Sequence, residues 1–245
     1  MNTIEDWFKK IEKSKNPEEI NDFLIDIGHN PRKEYLIYVD FFMDMLDVEL
    51  FEKVKLNLIY VIGQIGNLTP IDDQHINFLI DTYFKSDRWV RNEIIQAADK
   101  IGNARKLPEN LISLIAKWLN EDYVPIKLSA LKVLSKLDDL PSFAIKNFFW
   151  ILNSADSALR EESINVLNKF ILDEIQLYKI LDESQNYKIL KKDGIRTILI
   201  NYFNSAIELE QFKQRISNST WEKKYKEDFI NEIESFQKLL LNKYN

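Results

Sequence analysis

Four ungapped stretches decide the fold: residues 54–66 (VKLNLIYVIGQIG), 90–102 (VRNEIIQAADKIG), 126–138 (IKLSALKVLSKLD) and 159–171 (LREESINVLNKFI). A weaker fifth is residues 190–201 (LKKDGIRTILIN). The anchors Val54, Val90, Ile126, Leu159 and Leu190 stand 36, 36, 33 and 31 residues apart. Self-similarity at such a period is the sequence signature of stacked supersecondary units. Counting each anchor as zero, the apolar residues fall at positions 4, 5, 8 and 11, one stripe of a 3.6-residue helix. Position 5 reads Ile59, Ile95, Leu131, Ile164 and Ile195, and position 8 reads Ile62, Ala98, Leu134, Leu167 and Ile198. Position 4 shrinks along the chain, from Leu58 and Ile94 to Ala130, Ser163 and Gly194. Small residues there let a neighbouring helix approach closely. Positions 3, 6 and 10 are mostly polar and are expected to face water.

A second amphipathic segment precedes each of these helices, at about 32–46, 70–84, 107–119, 141–152 and 173–183. Pro31, Pro70, Pro108 and Pro141 fit first-turn proline. Asp87, Asp122 and Asp156 stand three or four residues before an anchor, where each could cap the second helix and oppose its positive dipole end. Gly66 and Gly102 are expected to terminate their helices. One helix pair cannot bury its apolar stripe, whereas stacked pairs can. The expectation is an all-α chain organised as one domain over 1–245. Residues 1–31 cap one end, about five helix pairs fill 32–202, and a degenerate pair at 203–245 closes the other end.

Composition agrees. The 245 residues are 45% apolar and 29% charged, with only 5 Gly and 6 Pro, which disfavours turn-rich β folds. With no Cys, disulfides and thiolate metal sites are excluded. The N-terminal fifteen residues interleave charge with apolar side chains and hold no signal-peptide core. No apolar run is long enough to span a bilayer, so the expected location is cytoplasmic. The net charge of −6 is carried by residues 1–49, which hold 12 Asp/Glu and 6 Lys/Arg; the rest of the chain balances at 27 of each. A neutral body does not advertise nucleic-acid binding.

Asp87-Arg88-Trp89-Val90-Arg91 through Ile101-Gly102 carries a resemblance to the HEAT-repeat family. Lys55, Arg91, Lys127, Arg160 and Lys191 fill that family's basic position after the anchor. The resemblance covers about 32–202 and implies an α-solenoid, a right-handed superhelix of antiparallel helix pairs whose second helices line a concave face. The fifth repeat departs from the pattern, lacking both the Asp and the terminal Gly. The basic column is expected to form a ladder with the Asp residues between helices.

No catalytic constellation is legible. His29 and His75 have no partner in metal-ligand spacing, and Asp72, Asp73 and His75 read as a helix first turn. HEAT-like hydroxylases use His-Glu pairs, and the dipeptide is absent here. One class of HEAT-like DNA glycosylase has a Trp-x-Arg-Arg stretch that Trp89-Val90-Arg91 is similar to, but Asn92 replaces the second Arg. The five Gly never form a phosphate loop. Trp118 and Trp150 sit at apolar stripe positions and are expected in the core.

The function expected is therefore a non-enzymatic scaffold or adaptor, or an inhibitor of immunity type. It needs no cofactor or metal and holds another protein or peptide in its groove. Nucleic acid is not the expected ligand. The partner-facing residues are Asn57, Tyr60, Gln64, Asn92, Gln96, Lys132, Asn165 and Arg196. The alternative is a HEAT-like DNA-binding protein or glycosylase.

Overall fold

The computed structural model describes residues 3–242, so the two outermost N-terminal and three outermost C-terminal residues of the expected end caps lie outside the described residues. The described residues are helical, with no strand among them. The chain divides into two compact units, Met1–Ile115 and Ala116–Asn245.

The first unit contains α1 (Ile4–Ile11), α2 (Pro17–His29), α3 (Leu36–Met45), α4 (Val48–Gly66), α5 (Asp73–Phe84) and α6 (Arg88–Ala104). The unit boundary falls within α7 (Glu109–Trp118). The second unit continues with α8 (Val124–Leu134), α9 (Ser142–Leu152), α10 (Ser157–Leu167), α11 (Glu174–Asp182), α12 (Lys192–Tyr202), α13 (Ala206–Asn218) and α14 (Lys223–Asn242). Short 3-10 turns lie at Lys33–Tyr35 and Glu183–Lys188.

Two of the three expected aspartate caps form, whereas Pro70 stands three residues before α5 and Pro141 at the N-cap of α9, outside the first turns expected for them. Asp87 Oδ1 accepts from the amides of Trp89 (3.0 Å) and Val90 (3.1 Å), and Asp156 Oδ1 from those of Ala158 (2.9 Å) and Leu159 (3.2 Å). Asp47 caps α4 in the same way, through the Leu50 amide at 2.9 Å. Each such cap contributes about 1 kcal/mol. The expected cap at Asp122 does not form: α8 begins after Tyr123, with Pro125 in its first turn.

In the first unit α2, α4 and α6 pack side by side, with α3 against α4 and α5 against α6. In the second, α8, α10, α12 and α14 form a similar row, with α9 against both α10 and α12. The predicted stripe is the core: Ile59, Ile95, Leu131, Ile164 and Ile195 are all buried, as are Ile62, Ala98, Leu134, Leu167 and Ile198. Burial of each large aliphatic member is worth about 1.5–3 kcal/mol. Position 7 is buried too, at Val61, Ala97, Val133 and Val166. Val61 lies on α4, which packs on both α2 and α6, and Val166 on α10, which packs on both α8 and α12, so the apolar arc of these helices is wider than one stripe.

Polar contacts recur at the repeat separation. Asn57 Nδ2 donates to Asn21 Oδ1 (2.8 Å) and Asn103 Nδ2 to Asn67 Oδ1 (2.7 Å), both across a separation of 36 residues. In the second unit Asn153 Nδ2 donates to the Ile189 carbonyl (2.9 Å), again 36 residues away.

The terminal-glycine expectation holds at Gly66 and is corrected at Gly102. No glycine has positive φ; Gly66 is the last helical residue of α4, and Gly102 lies inside α6, which runs on to Ala104. What α4 uses is missing volume. A Cβ on Gly63 would stand 2.8 Å from Ala97 Cα, and one on Gly66 2.6 Å from Ile101 Cγ1. These two positions let α4 and α6 pack nearly backbone to backbone.

The basic ladder is corrected at two rungs. Lys55 pairs with Glu52 one turn back on its own helix, and Arg160 donates to the Ser154 carbonyl. Asp87 and Asp156 are occupied as caps.

Candidate functional site

The eight groove residues divide by unit. In the first unit Asn57, Tyr60, Gln64, Asn92 and Gln96 are half-buried, because the α2–α4–α6 row closes over them. Asn57 is engaged with Asn21. The Tyr60 ring lies against Gly28, edge-on to His29 (6.3 Å), with Lys100 Nζ 5.2 Å from its centroid. It therefore joins three helices and presents little free surface. In the second unit Lys132, Asn165 and Arg196 are exposed. Arg196 Nε binds Glu232 Oε2 at 2.6 Å, bridging α12 and α14 and holding a carboxylate that is otherwise buried. These contacts assign Asn57, Tyr60 and Arg196 a share in packing.

Burial pushes the Glu93 carboxyl above the usual carboxylate range, with Lys100 pulling weakly the other way. The Tyr202 hydroxyl is raised by burial alone, and its oxygen has no hydrogen-bond partner.

His75 is 1% exposed, and its Nε2 lies 2.8 Å from Asp40 Oδ1 on α3, which also accepts from Gln74 Nε2 at 3.0 Å. The sequence placed His75 in a first turn, and its bond to a residue 35 positions earlier is a tertiary fact. No substrate can reach an imidazole so enclosed, so the pair fastens α5 to α3. Among the described residues no three His, Asp or Glu side chains gather in a metal-binding cluster.

Two surface features were not legible in the sequence. In the first unit an apolar cleft of about 350 Å³ is lined by Met43, Leu46, Val48, Phe51 and Phe78, with Glu52, Lys55, Asp81 and Lys85 also bordering it. Val48 is 80% exposed at its edge. In the second unit two adjoining clefts share Trp150 and Lys191. Trp150 is 48% exposed, which corrects its expected place in the core; Trp118 is fully buried as expected. The stripe reading failed at Trp150 because α9 buries Ile145, Phe148, Phe149 and Leu152 and turns the tryptophan outward.

Three comparisons with known proteins give little. No family model matches the chain. No curated protein matches it. Among solved structures, the crystal structure of an engineered protein is similar at a TM-score of 0.48, with 17% identity over 96% of this chain and 98% of that one. Among the described residues, no helix is long and apolar enough to cross a membrane.

Proposed function

We propose that the chain is a non-enzymatic scaffold of HEAT-type helix pairs, stacked as an α-solenoid, that holds another protein. The observation that carries the reading is the apolar cleft of the first unit, where Met43, Leu46, Val48, Phe51 and Phe78 meet solvent. Exposed apolar surface rimmed by charge marks an interaction site. Its apolar lining suits the apolar face of an amphipathic helix, a recurring mode of peptide recognition. The first unit holds 20 Asp/Glu and 14 Lys/Arg, a balance of −6, which favours a basic partner and steers its approach. The exposed Lys132 and Asn165 are further contact candidates on the second unit.

The test compares pull-downs from cells with the wild-type chain and a Val48→Asp variant. Val48 is 80% exposed, so the fold tolerates the charge. The expected result is a partner retained by the wild type and lost with the variant. A Lys132→Glu, Asn165→Ala variant tests the exposed candidates of the second unit in parallel. Identical partners with all three proteins would sink the proposal.

A further inference from the structure

The second unit carries a feature that a protein-binding scaffold does not require. A cleft of about 530 Å³ opens between α9, the start of α12 and α14. Lys146, Lys188, Lys191, Lys192 and Lys224 line it, against one carboxylate, Asp228. Beside it a second cleft of about 290 Å³ adds Lys127, Asn120 and Asn153. Trp150 and Lys191 belong to both, so the tryptophan stands on the divide between them.

Of the lysines that line the larger cleft, Lys188 is already held by Glu222, as Lys53, Lys213 and Lys223 are held by carboxylates elsewhere on the chain. Lys127, Lys146, Lys191, Lys192 and Lys224 form no ion pair among the described residues. Four of these cations line the larger cleft, and Lys127 joins Lys191 at the smaller; cations so gathered repel one another, and an anion removes that cost. Lys146 and Trp150 are one turn apart on α9, so charge and ring project from the same face. Trp150 has no aromatic partner among the described residues, whereas Trp7, Trp89 and Trp221 each have a ring or guanidinium contact. The first turn of α12 adds unpaired backbone amides, since its N-cap residue Lys191 supplies no side-chain cap.

We infer that this double cleft binds single-stranded nucleic acid, with Trp150 stacking on a base and the unpaired lysines holding the phosphates on either side. An exposed ring set among cations is the combination that sequence-tolerant strand binders use. Two clefts meeting at one tryptophan fit consecutive nucleotides better than a single free one. A duplex keeps its base faces stacked and offers nothing to the Trp150 ring. The neutral total charge of the body concealed the site, because 19 Lys/Arg and 19 Asp/Glu balance over the second unit while the lysines gather at one place.

The test is fluorescence anisotropy of the full chain with a labelled oligothymidylate of about ten nucleotides, at about 50 to 200 mM salt. Engagement of four or five phosphates predicts a log-log salt slope of about −3. Trp150→Ala is expected to weaken binding roughly 5- to 150-fold at unchanged slope. Lys146→Ser with Lys192→Ser is expected to flatten the slope by about 1.4. A Lys9→Ser, Lys10→Ser control on α1 is expected to bind as wild type, and far-UV circular dichroism verifies each fold. No binding at the lowest salt, or binding by the Trp150 and lysine variants as tight as by the wild type, would overturn the inference. So would a duplex of equal length binding as tightly as the strand, thymidine monophosphate competing as well as the strand per nucleotide, or polyglutamate displacing the strand equally from wild type and Trp150→Ala. None of these outcomes bears on the apolar cleft of the first unit, whose test is separate.

Discussion

Gly63→Ala and Gly102→Ala are expected to change stability in opposite directions. Both residues lie inside helices with ordinary helical backbone, so alanine gains about 1 kcal/mol of helix propensity at each. At Gly102 a Cβ meets only Leu107 side-chain carbons at 3.6–3.8 Å, which is ordinary contact. That variant is expected to be stabilised by about 0.5–1 kcal/mol. At Gly63 the Cβ would stand 2.8 Å from Ala97 Cα and 3.0 Å from Ala97 Cβ. Backbone cannot rotate aside, so α4 and α6 must part by about half an ångström to reach normal contact. A gap of that size forfeits roughly a quarter or more of the dispersion well for each atom pair it opens. Leu58, Val61, Ile62 and Ile65 on α4, with Ile94, Ala98 and Ile101 on α6, are all buried in that packing. Overpacking costs run to about 1–3 kcal/mol, and a clash with unyielding backbone belongs at the upper end, about 2–3 kcal/mol, which leaves a net loss of about 1–2 kcal/mol after the propensity gain. Urea denaturation followed by far-UV circular dichroism measures both, as shifts of midpoint at constant m-value. A Gly63→Ala protein as stable as wild type would refute the close approach of α4 to α6. A destabilised Gly102→Ala would refute the assignment of residue 102 to the interior of a helix with open space beside it.

Ile95→Ala and Leu131→Ala are each expected to cost about 2–5 kcal/mol, since both side chains are fully buried; a urea midpoint shift equivalent to less than about 0.5 kcal/mol would show the inward register to be misassigned. Glu93→Gln is expected to raise the thermal midpoint at neutral pH. Burial raises the folded-state pKa of Glu93, so its favourable contribution is present below the unfolded carboxylate pKa and lost as pH rises through the folded value. The gain from glutamine must therefore shrink on acidification toward about pH 4, and a gain independent of pH would refute the burial cause.

Helix existence and inward register were readable because both are periodic and local. Repetition of position 5 as Ile59, Ile95, Leu131, Ile164 and Ile195 outweighs any single ambiguous residue. Asp87 and Asp156 were recognisable as caps because a cap depends on residues two or three positions away. Gly66 and Gly102 looked equivalent, as did Trp118 and Trp150, yet each pair is split by what stands opposite in space. Asp40 and His75, 35 residues apart, could not be paired from spacing alone. The polar column from Asn57 to Arg196 was located, but its use was not: neighbouring helices engage Asn57, Tyr60 and Arg196, which no local pattern shows.

By itself, the sequence determined an all-helical chain, its repeat period and the stripe each helix buries, since these follow from hydrophobic spacing and from caps a few residues away. Only the tertiary structure decided which polar residues are used internally, which glycines admit a neighbouring backbone and where unpaired lysines meet Trp150. Those outcomes depend on side chains brought together from helices that the local pattern cannot place.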